Sequence, residues 1–234
     1  LAQHSQHIVM TEKTRFAMPE SAIGLFPDAG ASLFLGRCPK SVARLMGMTG
    51  HIVGTADCLL LGLATAQVPA GSLADLKEKL LHGHVDQVDS IISQFQTDAG
   101  QPLLASQRQL IDHIFADGSV ESMRYRAVDL AGKMPHSKLL NAIVTAFETC
   151  CPLSIKLFDR LLAVTDHLTD PVAAIELDFH LALQLTKRAD FAEGIRAIII
   201  DKDQAPQWTP NSLETVTEIM LDAVFDRNGL PSLR

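Results

Sequence analysis

The stretch Arg15-Phe16-Ala17-Met18-Pro19-Glu20-Ser21-Ala22-Ile23-Gly24-Leu25-Phe26-Pro27-Asp28-Ala29-Gly30 sets two carboxylates, Glu20 and Asp28, eight residues apart, each directly after a proline. Proline locks its own φ and gives the following acid a stiff mount. Ile23, Leu25 and Phe26 lie between the acids. Apolar neighbours lower the local dielectric and raise a carboxyl pKa, which suits a proton carrier working near neutral pH. With Gly24, Pro27 and Gly30 inside it, Glu20–Gly30 reads as a loop rather than a regular helix. Polar residues set among apolar ones are the composition of a binding loop on a scaffold. A turn back through Gly24 would bring both acids to one cleft. The same residues also carry a purely structural reading. A glutamate after proline suits the first turn of a helix, and an aspartate before Ala-Gly suits a turn or a cap.

Upstream, His7–Thr11 and Arg15–Met18 are short extended stretches, the second stopped by Pro19. Downstream, helical spacing covers Ala31–Leu35, Ser41–Met48 with Gly50 as its stop, and Thr55–Leu63. A short strand, Thr65–Val68, is closed by Pro69. From there the spacing predicts helices over Ser72–His82, Val85–Gln96, Leu103–Phe115, Val120–Lys133, Lys138–Cys150 and Leu153–Leu162, and one from Asp170-Pro171 to Lys187. The short apolar run Phe191–Ile200 fits helix or strand. Asn211–Phe225 reads as a last helix, with Asn211 or Ser212 as its cap and Glu214 near the capping-box position. The fold class is α/β. Residues 1–71 read as the end of an α/β core and 72–234 as a helical region, divided into an insertion over about 83–135 and a C-terminal domain over about 136–234. Two or three strands do not make a stable sheet alone, so the α/β part reads as incomplete.

The quoted stretch resembles the signature of the crotonase (enoyl-CoA hydratase/isomerase) superfamily, and within it the 3-hydroxyisobutyryl-CoA hydrolase branch. The likeness rests on Ala17-Met18-Pro19-Glu20 and Ile23-Gly24-Leu25-Phe26-Pro27-Asp28. It continues in Gly62-Leu63-Ala64-Thr65, Asp190–Ala197, Asp201-Lys202-Asp203 and Pro206-Gln207-Trp208. It implies the C-terminal part of a ClpP/crotonase spiral fold carrying a large, mostly helical C-terminal region. It implies hydrolysis of a short 3-hydroxyacyl-CoA thioester, as in valine catabolism. Glu20 would be the catalytic glutamate and Asp28 a second acid at the hydroxyl end of the substrate. Ile23, Gly24 and Phe26 would line the substrate. Coenzyme A would be part of the substrate, with no separate cofactor and no metal. Hydratases of the superfamily carry a further glutamate on the following helix, where this chain has Leu45; that favours hydrolysis over hydration or isomerisation. The family's Gly-Gly pair after the aspartate is Gly30-Ala31 here. Relatives place a Gly-rich oxyanion turn just before the residues matching Leu1-Ala2-Gln3, so the sequence reads as lacking the N-terminal part, and such a fragment is expected to be inactive by itself. A non-catalytic interaction protein of crotonase fold is the remaining alternative.

Composition narrows the partners. The 234 residues carry 27 Asp+Glu against 20 Lys+Arg, a net charge of −7, and no basic block of the kind nucleic acid requires. The longest apolar runs, Cys58–Ala66 and Ile195–Ile200, are too short to span a bilayer. These argue against nucleic acid and membrane, while an acyl-CoA substrate is the partner that the resemblance implies; a homo-oligomer is compatible. The location would be cytoplasmic in a bacterium and the mitochondrial matrix in a eukaryote. Cys38, Cys58, Cys150 and Cys151 form no metal or disulfide spacing and read as reduced thiols. His82-Gly83-His84 supplies too few ligands for a metal and reads as a solvated helix end. Trp208 reads as an anchor of the C-terminal segment, Glu193 and Arg196 as a pair one turn apart, and Lys187-Arg188 either as phosphate contacts or as a solvated helix end.

Overall fold

The computed structural model describes residues 2–168 and 170–228. Leu1 and the outer bounds of the two sequence-based regions, 1 and 234, lie outside them. The chain packs as two compact units that interleave along the sequence: Leu1–Phe16 with Ile52–Arg108, and Ala17–His51 with Gln109–Arg234. This partition differs from the division at 71/72. The loop carrying Glu20 and Asp28 groups with the C-terminal helices, not with the short strands.

In the first unit, β1 (Val9–Met10) runs parallel to β2 (Ala66–Gln67), pairing Val9 with Ala66 and Met10 with Gln67. The second extended stretch makes a single antiparallel bridge, Phe16 to Val53. Pro69 follows β2, as a residue without an N–H should. The Thr55 hydroxyl donates to the Thr11 carbonyl at 2.6 Å.

The second unit contains α1 (Ala31–Gly36) and α2 (Lys40–Thr49). The first unit then adds α3 (Thr55–Leu60), α4 (Leu73–His82) and α5 (Val88–Phe95). A small core of Ala66, Val68, Leu76, Ile91 and Ile92 seals β2 against α4 and α5. The expected helix over Val85–Gln96 starts as a 3₁₀ turn, Val85–Gln87, in which Gln87 Oε1 accepts the His84 N–H at 3.1 Å. That capping accounts for one of the two histidines flanking Gly83. Helix α6 (Leu103–Ile114) follows.

The helices of the second unit continue with α7 (Val120–Lys133), α8 (Lys138–Thr149), α9 (Pro152–Thr165), α10 (Pro171–Leu185), α11 (Ala189–Ile195) and α12 (Glu218–Phe225). Their starts are written in side chains. Ser119, Ser137, Asp170 and Thr217 accept the N–H of a residue two or three positions on, and Pro152 and Pro171 stand in first-turn positions where no N–H is needed. Gly50 ends α2 in the left-handed conformation, φ 65°. Helix α9 packs against α1, α2, α7 and α12. It buries Leu153, Ile155, Leu157, Phe158 and Leu161. The Phe158 ring fills the space over Gly47 of α2, where an added Cβ would lie 2.0 Å from it.

One segment that the periodicity left open takes its helical alternative, and one differs from the periodicity. Phe191–Ile200 is not a strand: α11 runs on into a π-helical turn, Arg196–Ile200. Its guanidinium-carboxylate cluster fits a helix end, with Arg196 bidentate on Glu193 at 2.8 and 2.9 Å and on Asp201 at 2.7 Å. Asn211–Phe225 is not one helix. A 3₁₀ turn, Leu213–Thr215, precedes α12, and the cap is Thr217 rather than Asn211 or Ser212. The β-branched run Thr215-Val216-Thr217 disfavours helix there. The Lys156 ammonium also donates to the Leu213 and Val216 carbonyls, at 3.2 and 3.1 Å, at the point where the chain leaves the 3₁₀ turn.

Candidate active site

Glu20 is the first residue of a 3₁₀ turn, Glu20–Ile23, which Gly24 closes at φ 74° with its N–H returning to the Glu20 carbonyl. Neighbours hold this turn on several sides. The Ser21 hydroxyl donates to the Gly47 carbonyl of α2 at 3.0 Å, and the Cys151 N–H, at the head of α9, donates to the Ser21 carbonyl at 2.9 Å. On a further side lies α11. A Cβ on Gly194 would sit 2.5 Å from the Ile23 carbonyl carbon, and one on Gly24 would sit 2.9 Å from the Asp190 carbonyl oxygen. Backbone therefore rests on backbone, an approach only glycine permits. Gly50 lets the chain pass close to Pro19, immediately before Glu20.

Asp28 stands on the next bend. Ala29 (φ 55°) and Gly30 (φ 77°) are consecutive left-handed residues, and the Asp28 carbonyl accepts the Ala31 N–H at 2.9 Å. A left-handed alanine is uncommon and costs on the order of 1 kcal/mol. Something must hold it, and the Gly30 N–H donates to Asp178 Oδ2 of α10 at 2.7 Å. Ala31 opens α1, where alanine is a good helix former.

The charge of Asp28 acts on Glu20, though burial is the larger influence. Burial pushes the Glu20 carboxyl from its ordinary 4.5 up to about 7, against a hydrogen bond from its own backbone, and the neighbouring Asp28 charge adds to the rise. Glu20 Oε2 is buried without a hydrogen-bond partner. Asp178 behaves alike: burial lifts it to about 7, the Gly30 N–H opposes, and Asp28 repels it further. Its Oδ1 is also buried without a partner. Asp28 therefore acts on both raised carboxyls. A carboxyl that loses its proton near pH 7 is matched to proton transfer at physiological pH.

The remaining expected site residues divide. Ile23 is half-buried at the end of the 3₁₀ turn, and Gly24 is buried with its Cβ side against Asp190. Phe26 is fully buried, so its side chain belongs to the core rather than to an open substrate surface. Leu45 is fully buried in α2. The sequence reading missed Asp178. The signal was an acid on the apolar stripe Ala174, Leu177, Leu181 and Leu185, a position where an unneeded charge is costly. Among the described residues, no group of three or more His, Cys, Asp or Glu is placed to hold a metal ion. The four cysteines are buried, and burial raises the thiol pKa of Cys38, Cys150 and Cys151. Trp208 Nε1 donates to the Thr149 carbonyl at 2.8 Å, which ties the C-terminal segment to the end of α8. Arg188 pairs with buried Asp190, whose other oxygen accepts the Thr209 N–H at 2.7 Å.

The model of one protein family, enoyl-CoA hydratase/isomerase, matches residues 1–225. The chain belongs to this family. A protein named 3-hydroxyisobutyryl-CoA hydrolase, mitochondrial, from Gallus gallus is 32% identical over 244 residues, covering 100% of this chain and 61% of the relative. One named probable 3-hydroxyisobutyryl-CoA hydrolase 2, from Arabidopsis thaliana, is 34% identical over 235 residues, covering 97% and 62%. The solved structure of a carnitinyl-CoA dehydratase from Mycobacterium thermoresistibile superposes with a TM-score of 0.88 at 24% identity, over 100% of this chain and 65% of that one. An enoyl-CoA hydratase from Rhodobacter sphaeroides 2.4.1 gives 0.85 at 27%, over 99% and 65%. The expected crotonase-like fold is thus found. The chain spans about three fifths of the length of the curated relatives it matches. No described helix is long and apolar enough to cross a membrane.

Proposed function

We propose that the protein carrying this chain hydrolyses a short 3-hydroxyacyl-CoA thioester to the free acid and coenzyme A. The observation that supports this reading is the Glu20 carboxyl. It is clamped on a rigid turn, pushed up to about 7, and left with one buried oxygen unpartnered beside Asp28. Glu20 attacks the thioester carbonyl or takes a proton from a water that does. A C–O bond forms and the C–S bond breaks. Where water attacks, its proton passes by way of Glu20 to the departing thiolate. In the first alternative the thiolate leaves as an anion, water then opens the acyl-glutamate, and the proton that this water releases goes to the thiolate. Asp28, on the adjoining bend, orients the 3-hydroxyl group. Coenzyme A belongs to the substrate, and no separate cofactor takes part. The names of the relatives support the hydrolase assignment.

Hydration across a double bond, the activity in the name of one structural neighbour, is the competing reading. It needs two acids about one water, and fully buried Leu45 counts against it. In the full protein, thiol release from 3-hydroxyisobutyryl-CoA should far exceed hydration of crotonyl-CoA. Glu20→Gln should lower kcat by roughly a hundredfold or more while acyl-CoA still binds. Unchanged turnover in Glu20→Gln, or hydration outpacing thiol release, would refute the proposal.

A further inference from the structure

The proposed mechanism uses Glu20 and Asp28 and leaves the third buried carboxyl unassigned. Asp178 reaches the site from α10, 148 residues away in sequence, and takes the Gly30 N–H at 2.7 Å. That amide lies inside the left-handed pair Ala29–Gly30, so it belongs to the bend that decides where the Asp28 side chain points. Its other oxygen is buried without a partner, a costly arrangement for a residue whose only task is helix packing. Asp28 is the charged group that acts on it. His180, two residues on in the same helix, has its ring against Phe179.

We infer that Asp178 is a positioning residue for substrate selection: by holding the Gly30 N–H it fixes the Asp28 bend, and through Asp28 it sets the preference for acyl groups that carry a 3-hydroxyl. This rests on the role proposed for Asp28. Asp178 touches no substrate; it acts through the bend. Losing its acceptor frees the strained Ala29–Gly30 pair to relax, and Asp28 moves off the hydroxyl position. The contribution of a hydrogen bond between substrate and a charged group, on the order of tenfold to a hundredfold in kcat/KM, is then lost selectively for the hydroxylated substrate.

The test is the ratio of kcat/KM for 3-hydroxyisobutyryl-CoA over isobutyryl-CoA, which lacks the hydroxyl, in the full protein. Asp178→Ala should lower this ratio about tenfold or more. Asp178→Asn keeps a carbonyl oxygen for the Gly30 N–H and should stay within about threefold of wild type. Asp28→Ala is the control for the underlying role. If Asp28→Ala collapses the ratio and Asp178→Ala leaves it intact, the inference fails and the function stands. Parallel loss on both substrates in Asp178→Ala also overturns it, because that marks a merely structural residue. If Asp28→Ala itself leaves the ratio unchanged, the role of Asp28 fails, and the inference falls with it.

Discussion

Substituting Gly194 by alanine tests whether the Glu20 turn is held as rigidly as its contacts imply. The new Cβ would meet the Ile23 carbonyl carbon, Cα and carbonyl oxygen at 2.5, 2.6 and 2.6 Å. Ordinary carbon contact begins roughly 1 Å farther out. No flexible side chain is there to yield, so either α11 or the turn must back away by about that distance. Overpacking of this kind costs roughly 1–3 kcal/mol, and relieving the helix of a glycine returns up to about 1 kcal/mol. The net expectation is a loss of about 1–2 kcal/mol in urea or thermal unfolding. The catalytic penalty should be larger. A misplacement of about 1 Å in a reacting group costs on the order of a hundredfold in rate, so kcat for thiol release should fall far more than folded population. Gly132→Ala supplies the comparison: nothing lies within 4 Å of its Cβ position in α7, and it should be neutral or stabilising by up to about 1 kcal/mol. A folded Gly194→Ala protein with unaltered kcat would refute the reasoning that α11 fixes the Glu20 turn for the proposed reaction.

Glu20→Gln should stabilise the fold in a pH-dependent way. Below pH 4.5 the carboxyl is protonated in folded and unfolded chains alike; between 4.5 and about 7 only the unfolded chain ionises, which penalises folding, and above that the penalty is complete. The gain from glutamine should therefore be absent near pH 4.5 and reach on the order of 1–2 kcal/mol above pH 7, after allowance for solvent screening of a half-buried group. Denaturation at pH 4.5 and 8 measures it, and an equal gain at both would mean the acid is not shifted. Trp208→Phe removes the indole donor from the Thr149 carbonyl and should cost about 1–2 kcal/mol in thermal unfolding. Wild-type stability would deny that hydrogen bond its role. The pH profile of kcat/KM for thiol release should rise through an apparent pKa of about 7 if Glu20 works in its ionised form, and a rise centred near 4.5 would place the titration elsewhere.

Helix existence was legible wherever the chain announces it locally. Ser119, Ser137 and Asp170 accept backbone N–H groups within a few residues, and Gly50 supplies the left-handed stop that only glycine takes cheaply. The turn after Glu20 was legible too, because Gly24 closes it in the left-handed conformation. What escaped was set by distant partners. Lys156 meets the carbonyls before α12 from another helix, Asp178 meets Gly30 across most of the chain, and the interleaving of the two units depends on packing that no local pattern records. The burial of Phe26 was not legible, because an apolar residue in such a loop looks the same in sequence whether it faces ligand or core.

The clamp around Ser21 also bears on how the molecule matures. Its fasteners come from Gly47, Cys151 and Gly194, so the turn stays loose until segments far down the chain have docked. Contacts of such long sequence separation close late because the loop entropy must be met first. The Glu20 turn should then be among the last parts to set during refolding. A nick between α9 and α11 would loosen it even with Glu20 and Asp28 chemically intact.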